Sequence, residues 1–164
     1  MTQDYKAKLE DAEEFQDFVS EKLRSANPCI IIQAYCSKKY QRSHGESASG
    51  IEIKHDRRIN GEDGNKPTRN IYIETSEKPY PEYSEFIPSG ILRNDNTWLY
   101  LVGDYTEAFL FSKKMLFRIY IRIGEYKDIG LREVSTPTSQ GFVIPTNNPF
   151  LESICLQHFV WDEM

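Results

Sequence analysis

Apolar positions recur at spacings of three and four through residues 7–24: Leu9, Ala12, Phe15, Val19 and Leu23, with Phe18 widening the stripe. That spacing predicts an amphipathic helix with one face turned to a core. Gln16 falls inside the stripe, Glu13 and Glu14 sit at its edges, and Asn27-Pro28 ends the helix. The β-branched run Cys29-Ile30-Ile31-Ile32-Gln33-Ala34-Tyr35 reads as a buried strand. Ile51-Glu52-Ile53-Lys54 and Ile71-Tyr72-Ile73-Glu74 alternate with period two, each putting its isoleucines on one face. Residues 57–68 between them form a polar loop containing glycine, and 79–90, with three prolines, is irregular. Strands follow over 97–102 and 108–111, then a helix capped by Ser112 through Met115, Leu116 and Ile119. Two more strands are expected around 131–134 and 141–144, a short helix after Asn148-Pro149, and an extended end over 158–161. Tyr72, Trp98, Tyr100, Phe109 and Phe111 read as core aromatics. The pattern predicts one mixed α/β domain over 1–164, without repeat or linker.

Composition narrows the class. With 164 residues, 39% hydrophobic and 27% charged, the chain is globular and long enough to bury a core. No apolar run approaches the roughly 18 residues of a membrane span, and the mean hydropathy is −0.59. Residues 1–6 show no signal-peptide core, so a cytoplasmic location is expected. Cys29, Cys36 and Cys155 form neither a disulfide framework nor a CxxC pair. The formal charge is −5, yet residues 38–69 hold eight Lys or Arg (Lys38, Lys39, Arg42, Lys54, Arg57, Arg58, Lys66, Arg69) against five acids. This region is +3 in a chain otherwise at −8. Such a region is either a solvated loop or a face that meets a polyanion.

The chemistry concentrates in Gly45-Glu46-Ser47-Ala48-Ser49-Gly50-Ile51-Glu52-Ile53-Lys54-His55-Asp56. Glu52 and Lys54 share a strand face about 6.6 Å apart and can point into one cleft. A turn over 47–50 returns the Glu46 carboxylate toward Glu52. Two carboxylates and the Ile53 carbonyl are hard oxygen ligands, suited to Mg²⁺ or Mn²⁺. A metal so held orients water, lowers its pKa and offsets charge building on a phosphate, with the lysine beside it.

In these residues the chain resembles the PD-(D/E)xK nuclease superfamily of restriction-endonuclease-like fold, in particular small nuclease-like proteins of phages and bacteria. The matching pattern is Gly45-Glu46, Gly50-Ile51-Glu52-Ile53-Lys54-His55-Asp56, Asn70-Ile71-Tyr72-Ile73-Glu74, Ser89-Gly90-Ile91 and Asp95-Asn96-Thr97-Trp98-Leu99-Tyr100. It covers roughly 7–120. The resemblance implies an α-β-β-β-α-β core, a central mixed sheet flanked by helices, with acid and motif on adjacent strands and extra C-terminal strands beyond. It implies Glu46 and Glu52 as metal-binding acids and Lys54 as the catalytic lysine. Glu46 stands where most members have aspartate, and the gap to Glu52 is short. The implied activity is Mg²⁺-dependent DNA endonuclease chemistry, with Mn²⁺ as substitute. Double-strand cutting then implies a homodimer or higher oligomer, since one site cuts one strand.

Around this centre, Glu74 either borders the cleft or faces solvent. Glu13 or Gln16 is the contribution expected from the first helix. Asp56 is a further ligand or the partner of Arg57 or Arg58. His55 points to the apolar face and reads as a packed histidine, while His44 stays open as a general base. Lys38, Lys39, Arg42, Arg57, Arg58, Lys66, Arg69 and Arg93 are the candidate DNA-binding cations. Scattered histidines disfavour a zinc hydrolase, and the absence of G-x-x-x-x-G-K-[ST] disfavours an NTPase. The competing readings are a catalytically silent nucleic-acid-binding module of the same fold and an unrelated interaction domain.

Overall fold

The computed structural model of the chain describes residues 3–27, 29, 32–35, 40, 41 and 44–163, with side chains from Glu10 onward. Helix α1 spans Gln3–Ala26. Its stripe buries Phe15, Val19 and Leu23 against Ile53, Leu101, Ala108 and Trp161, whereas Ala12 is exposed. The Leu9 side chain lies outside the described residues, as do Cys36 and parts of the expected strand over 29–35. In that segment Ala34 forms an isolated antiparallel bridge with Ser47.

Eight strands follow: β1 (Ile51–His55), β2 (Asn70–Glu77), β3 (Ile87–Pro88), β4 (Leu99–Gly103), β5 (Glu107–Ser112), β6 (Arg132–Ser135), β7 (Ser139–Pro145) and β8 (Cys155–Val160). Helix α2 (Lys113–Tyr120) continues from β5, and Asn148 caps α3 (Pro149–Ile154) by accepting the Phe150 amide at 2.9 Å. One sheet has the order β1-β4-β5-β8 and the other β3-β2-β7-β6. Among the described residues only β1 and β4 pair in parallel; the other strand pairings are antiparallel.

Strand alternation then builds three layers. Ile53, Leu101 and Ala108 face α1. The alternate residues Tyr100, Val102, Phe109 and Phe111 face the second sheet, where Ile71, Ile73, Phe142 and Ile144 meet them; Leu116, Ile119, Leu151 and Ile154 close this core. Glu52 and Lys54 lie on the same side of β1 as Tyr100 and Val102 lie on β4, since Glu52 pairs with Tyr100 and Lys54 with Val102.

The resemblance implied one central mixed sheet holding the strands over 51–56 and 70–75. Instead β2 belongs to the second sheet. Ile71 and Ile73 bury in the core that Tyr100 and Val102 line, so β2 stacks across from β1 instead of bonding to it. Asp56 makes the transfer: its carboxylate accepts the Tyr72 amide at 3.1 Å and the Arg58 amide at 3.2 Å. It is thus a link between the sheets, and the Arg58 charge also acts on its carboxylate. The chain from β1 crosses through the second sheet before returning as β4, as a parallel pair requires.

Candidate active site

The turn before β1 is held against the approach to β4. Tyr35 donates its amide to the Glu46 carbonyl at 3.0 Å, and Asn96 donates its side-chain amide to the Ser47 carbonyl at 3.0 Å. The Ser47 hydroxyl donates to the Ile51 carbonyl at 2.7 Å and accepts the Ile51 amide at 3.0 Å. Gly50 has φ +68°, and a Cβ there would stand 2.4 Å from the Trp98 ring. Only glycine lets this turn lie so close to Trp98. The consequence is the one expected from the spacing: the Glu46 carboxylate comes back to Glu52.

The two acids converge on shared cations. Lys54 Nζ stands 2.9 Å from Glu52 Oε1 and 3.3 Å from Glu46 Oε1. Arg93 Nη2 stands 3.3 Å from Glu52 Oε2 and 3.6 Å from Glu46 Oε1. The Arg93 Nε donates to Asp95 at 2.6 Å, and Asp95 accepts Lys113 Nζ at 2.8 Å. Glu46, Glu52 and Asp95 thus balance Lys54, Arg93 and Lys113.

Balanced charge is not satisfied geometry. Glu52 is fully buried, and among the described residues only the Lys54 ammonium and the Arg93 guanidinium stand at its oxygens. The buried Tyr100 hydroxyl and Thr97 Oγ1 are without a hydrogen-bond partner among those residues. Native proteins leave few such atoms, and each is met by an ordered water, a bound ion or a functional role.

The electrostatics follow from this. Burial pushes the Glu52 carboxyl above its ordinary value against the pull of Lys54 and Arg93, with Glu46 adding to the rise. Burial opposes the charge on Lys54, yet Glu46 and Glu52 hold its ammonium well above the usual range. Burial also raises the Tyr100 phenol, with the Glu52 charge reinforcing it. For Asp95 burial is overcome by hydrogen bonds from Lys113 and Arg93, and its carboxyl falls to about 2.

Glu74 reaches this centre from the opposite sheet. Its oxygens accept the Ser89 hydroxyl at 2.6 Å and the Ser139 hydroxyl at 3.0 Å, and its charge is felt at Lys54 and Tyr100. Gly90 (φ +49°) approaches so closely that a Cβ would stand 2.3 Å from the Glu74 carbonyl oxygen. The Ser89-Gly90 pair of the motif therefore serves to seat Glu74.

Other expected residues lie elsewhere. Glu13 is exposed and Gln16 half-buried on α1, which covers the opposite face of the sheet, so neither joins Glu46 and Glu52. His55 is packed as expected, stacked on Phe15 at 4.4 Å with its nitrogens 3.1 Å from Asp11 and 2.7 Å from Glu62. His44 is exposed and stacks on Tyr40 at 3.8 Å. Among the candidate DNA-binding cations, Arg57 pairs with Asp11 and Asp63, Arg69 donates to Asn60, and Arg93 is drawn into the acidic centre. Arg58 and Lys66 are exposed; Lys38, Lys39 and Arg42 lie outside the described residues. Trp98, expected in the core, is 60% exposed. The sequence reading missed Asp95, Lys113 and Tyr100, and missed Arg93 as a partner of the acids. The Arg93-Asn94-Asp95 charge pair was the only visible signal.

A groove of about 600 Å³ lies apart from this centre, lined by Arg69, Glu107, Phe109, Leu151, Cys155 and His158. It holds none of the unsatisfied polar atoms, so its size alone does not make it the site. The chain matches no family model, no curated protein and no solved structure.

Among the described residues no group of three or more His, Cys, Asp or Glu is arranged to hold a metal ion. A Mg²⁺ ion needs fewer, because it keeps several waters and binds through one or two carboxylates. Glu46 and Glu52 fit that requirement. The register supports Ile53 as well: the Leu99 amide bonds the Gly50 carbonyl at 3.1 Å, and Asp56 bonds Gly103 at 2.8 Å. Even-numbered residues of β1 therefore address β4, and the Ile53 carbonyl points the other way, to the sheet edge.

Proposed function

We propose that this chain is a divalent-metal-dependent DNA endonuclease of restriction-endonuclease-like fold, acting as a homodimer or higher oligomer in the cytoplasm. The observation that carries the reading is Glu52: fully buried, next to Glu46, held by Lys54 and Arg93, and flanked by the Tyr100 and Thr97 hydroxyls that have no hydrogen-bond partner among the described residues. A helix on one sheet face and an acid-x-lysine strand carrying its charges on the other also support it, although β2 stands in a separate sheet.

Mg²⁺ bound by Glu46, Glu52 and the Ile53 carbonyl would polarise the phosphate and acidify a water there. The chain's own residues supply the rest. Lys54 stays protonated, so its ammonium orients the attacking water by hydrogen bonding and offsets charge on the phosphate oxygens. Arg93, tethered by Asp95, remains beside the acids as a second cation for the phosphate. With a divalent ion added to a charge-balanced centre, the surplus is positive, which suits a phosphodiester. Glu74 holds its place through two serine hydroxyls and faces the centre from the other side. Among the described candidates, Arg58, Lys66 and Arg69 are exposed and would meet the DNA backbone.

One observation favours the silent nucleic-acid-binding module: Lys54 and Arg93 already neutralise both acids. A plasmid assay separates the two. Supercoiled and branched DNA are incubated with Mg²⁺, Mn²⁺ or EDTA, using wild type and Lys54→Ala. Cutting that needs metal and disappears in the variant supports the nuclease. Binding without cutting under every condition supports the module.

A further inference from the structure

Trp98 carries a role that the acidic centre does not explain. It is 60% exposed, while the chain's other tryptophan, Trp161, is 1% exposed. Other large side chains are as open, Ile121 at 60% among them, so exposure alone does not single Trp98 out; what does is how the ring is held. The indole is fixed in place. Its Nε1 donates to the Ser49 carbonyl at 3.0 Å, its backbone amide bonds Gly50 at 2.9 Å, and its carbonyl accepts Lys113 at 2.9 Å. The absent side chain of Gly50 makes room for the ring.

Its place on the strand matters most. Tyr100 sits opposite Glu52 in the register, and Trp98 lies just before β4, its ring held against Ser49 and Gly50 of the turn that joins Glu46 to Glu52. The ring therefore flanks the acid-lysine centre, on the side of the turn that carries Glu46. A rigid, exposed indole whose polar atom is already bonded offers a flat face and nothing else, which suits stacking without regard to base identity.

We propose that Trp98 stacks on the nucleobase next to the phosphodiester held at Glu46, Glu52 and Lys54. The site then takes strands whose base at that point is unpaired, as in single-stranded, flapped or mismatched nucleic acid. This rests on the nuclease reading for the position of the phosphodiester. Duplex with every base stacked cannot present a face to the ring, so the residue selects by structure and not by sequence.

Two tryptophans, one buried, make the test direct. Intrinsic fluorescence and the anisotropy of a labelled oligonucleotide are followed in EDTA for wild type, Trp98→Phe and Trp98→Ala. The probes are a single-stranded oligonucleotide, its duplex and a flap. Single strand and flap are expected to quench wild-type emission but not the Trp161 emission that remains in Trp98→Phe. Trp98→Ala is expected to raise Kd for both about tenfold, with Trp98→Phe within about threefold of wild type. Duplex affinity should not change. Binding of single strand without quenching, or with equal Kd in Trp98→Ala, overturns the proposal; so does quenching by protein self-association in the absence of DNA. The cleavage assay keeps the two readings apart. Metal-dependent cutting lost in Lys54→Ala but unaltered in Trp98→Ala on flap DNA leaves the nuclease standing and removes the stacking. Quenching and the tenfold loss without any cutting leave the stacking and remove the nuclease. Because Trp98 is exposed, neither variant threatens the fold.

Discussion

Strand β1 carries a charged cluster on each face, and the two are built differently. On the α1 side, His55 places each ring nitrogen within hydrogen-bond distance of a carboxylate, Asp11 and Glu62. Arg57 adds its Nε to Asp11 at 3.1 Å, and the imidazole stacks on Phe15 and meets Tyr105 edge-on. On the opposite side Glu52, Tyr100 and Thr97 are as deeply placed, yet the two hydroxyls have no hydrogen-bond partner among the described residues. The first cluster behaves as a clamp between α1 and the sheet. The second balances its charges but keeps buried polar atoms without hydrogen bonds, Tyr100 and Thr97 hydroxyls among them, a cost that ligand binding can offset. Satisfaction of hydrogen bonds separates the two clusters, where charge or burial does not.

Substitutions in each should therefore diverge. The largest effect is expected from Glu52→Gln, which should lower metal-dependent cleavage by about 10²-fold or more. Its metal-free Tm should hold or rise. Burial raises the Glu52 pKa above its unfolded value, so at neutral pH the ionised form weakens the fold, and the neutral amide removes that penalty. Next comes Phe15→Ala, which should destabilise by about 3–5 kcal/mol in denaturant titration, because it empties a fully buried site and unstacks His55. Asp11→Asn should cost about 1–3 kcal/mol by leaving Arg57 and His55 short of an acceptor, with cleavage per folded molecule unchanged.

The acid limb of stability sharpens the contrast further. Asp95 has a folded pKa of about 2 against 3.8. Its stabilisation is present above the unfolded value and disappears as pH falls from about 4 through 2, a loss of about 2 kcal/mol. Urea titrations at pH 6, 4 and 2 should show this slope in wild type and lose it in Asp95→Asn. The smallest effect belongs to Ser89→Ala, which removes one of two hydroxyls on Glu74 and should slow cleavage only severalfold.

Periodicity made the local part of this arrangement readable. Alternation placed Glu52 and Lys54 on one face of β1 and His55 on the apolar one, and the turn spacing brought Glu46 back. Pairing between distant segments was not readable. Arg93, Asp95 and Lys113 reach the acids only because β4 lies beside β1 and α2 starts where β5 ends. The same non-local choice moved β2 into the second sheet, since an apolar face does not say whether it will pair or stack. It also decided which face α1 covers, and so removed Glu13 and Gln16 from the centre. Trp98 looked like core because an apolar strand carries no mark of where the neighbouring layer stops.

The central claim is that the unsatisfied cluster takes a divalent cation and the satisfied one does not. Titrating Mn²⁺ into wild type, Glu52→Gln and Asp11→Asn by calorimetry tests it most directly. Wild type and Asp11→Asn should bind with equal affinity, and Glu52→Gln should show no binding. Equal binding by Glu52→Gln, or none by the wild-type protein, would contradict it.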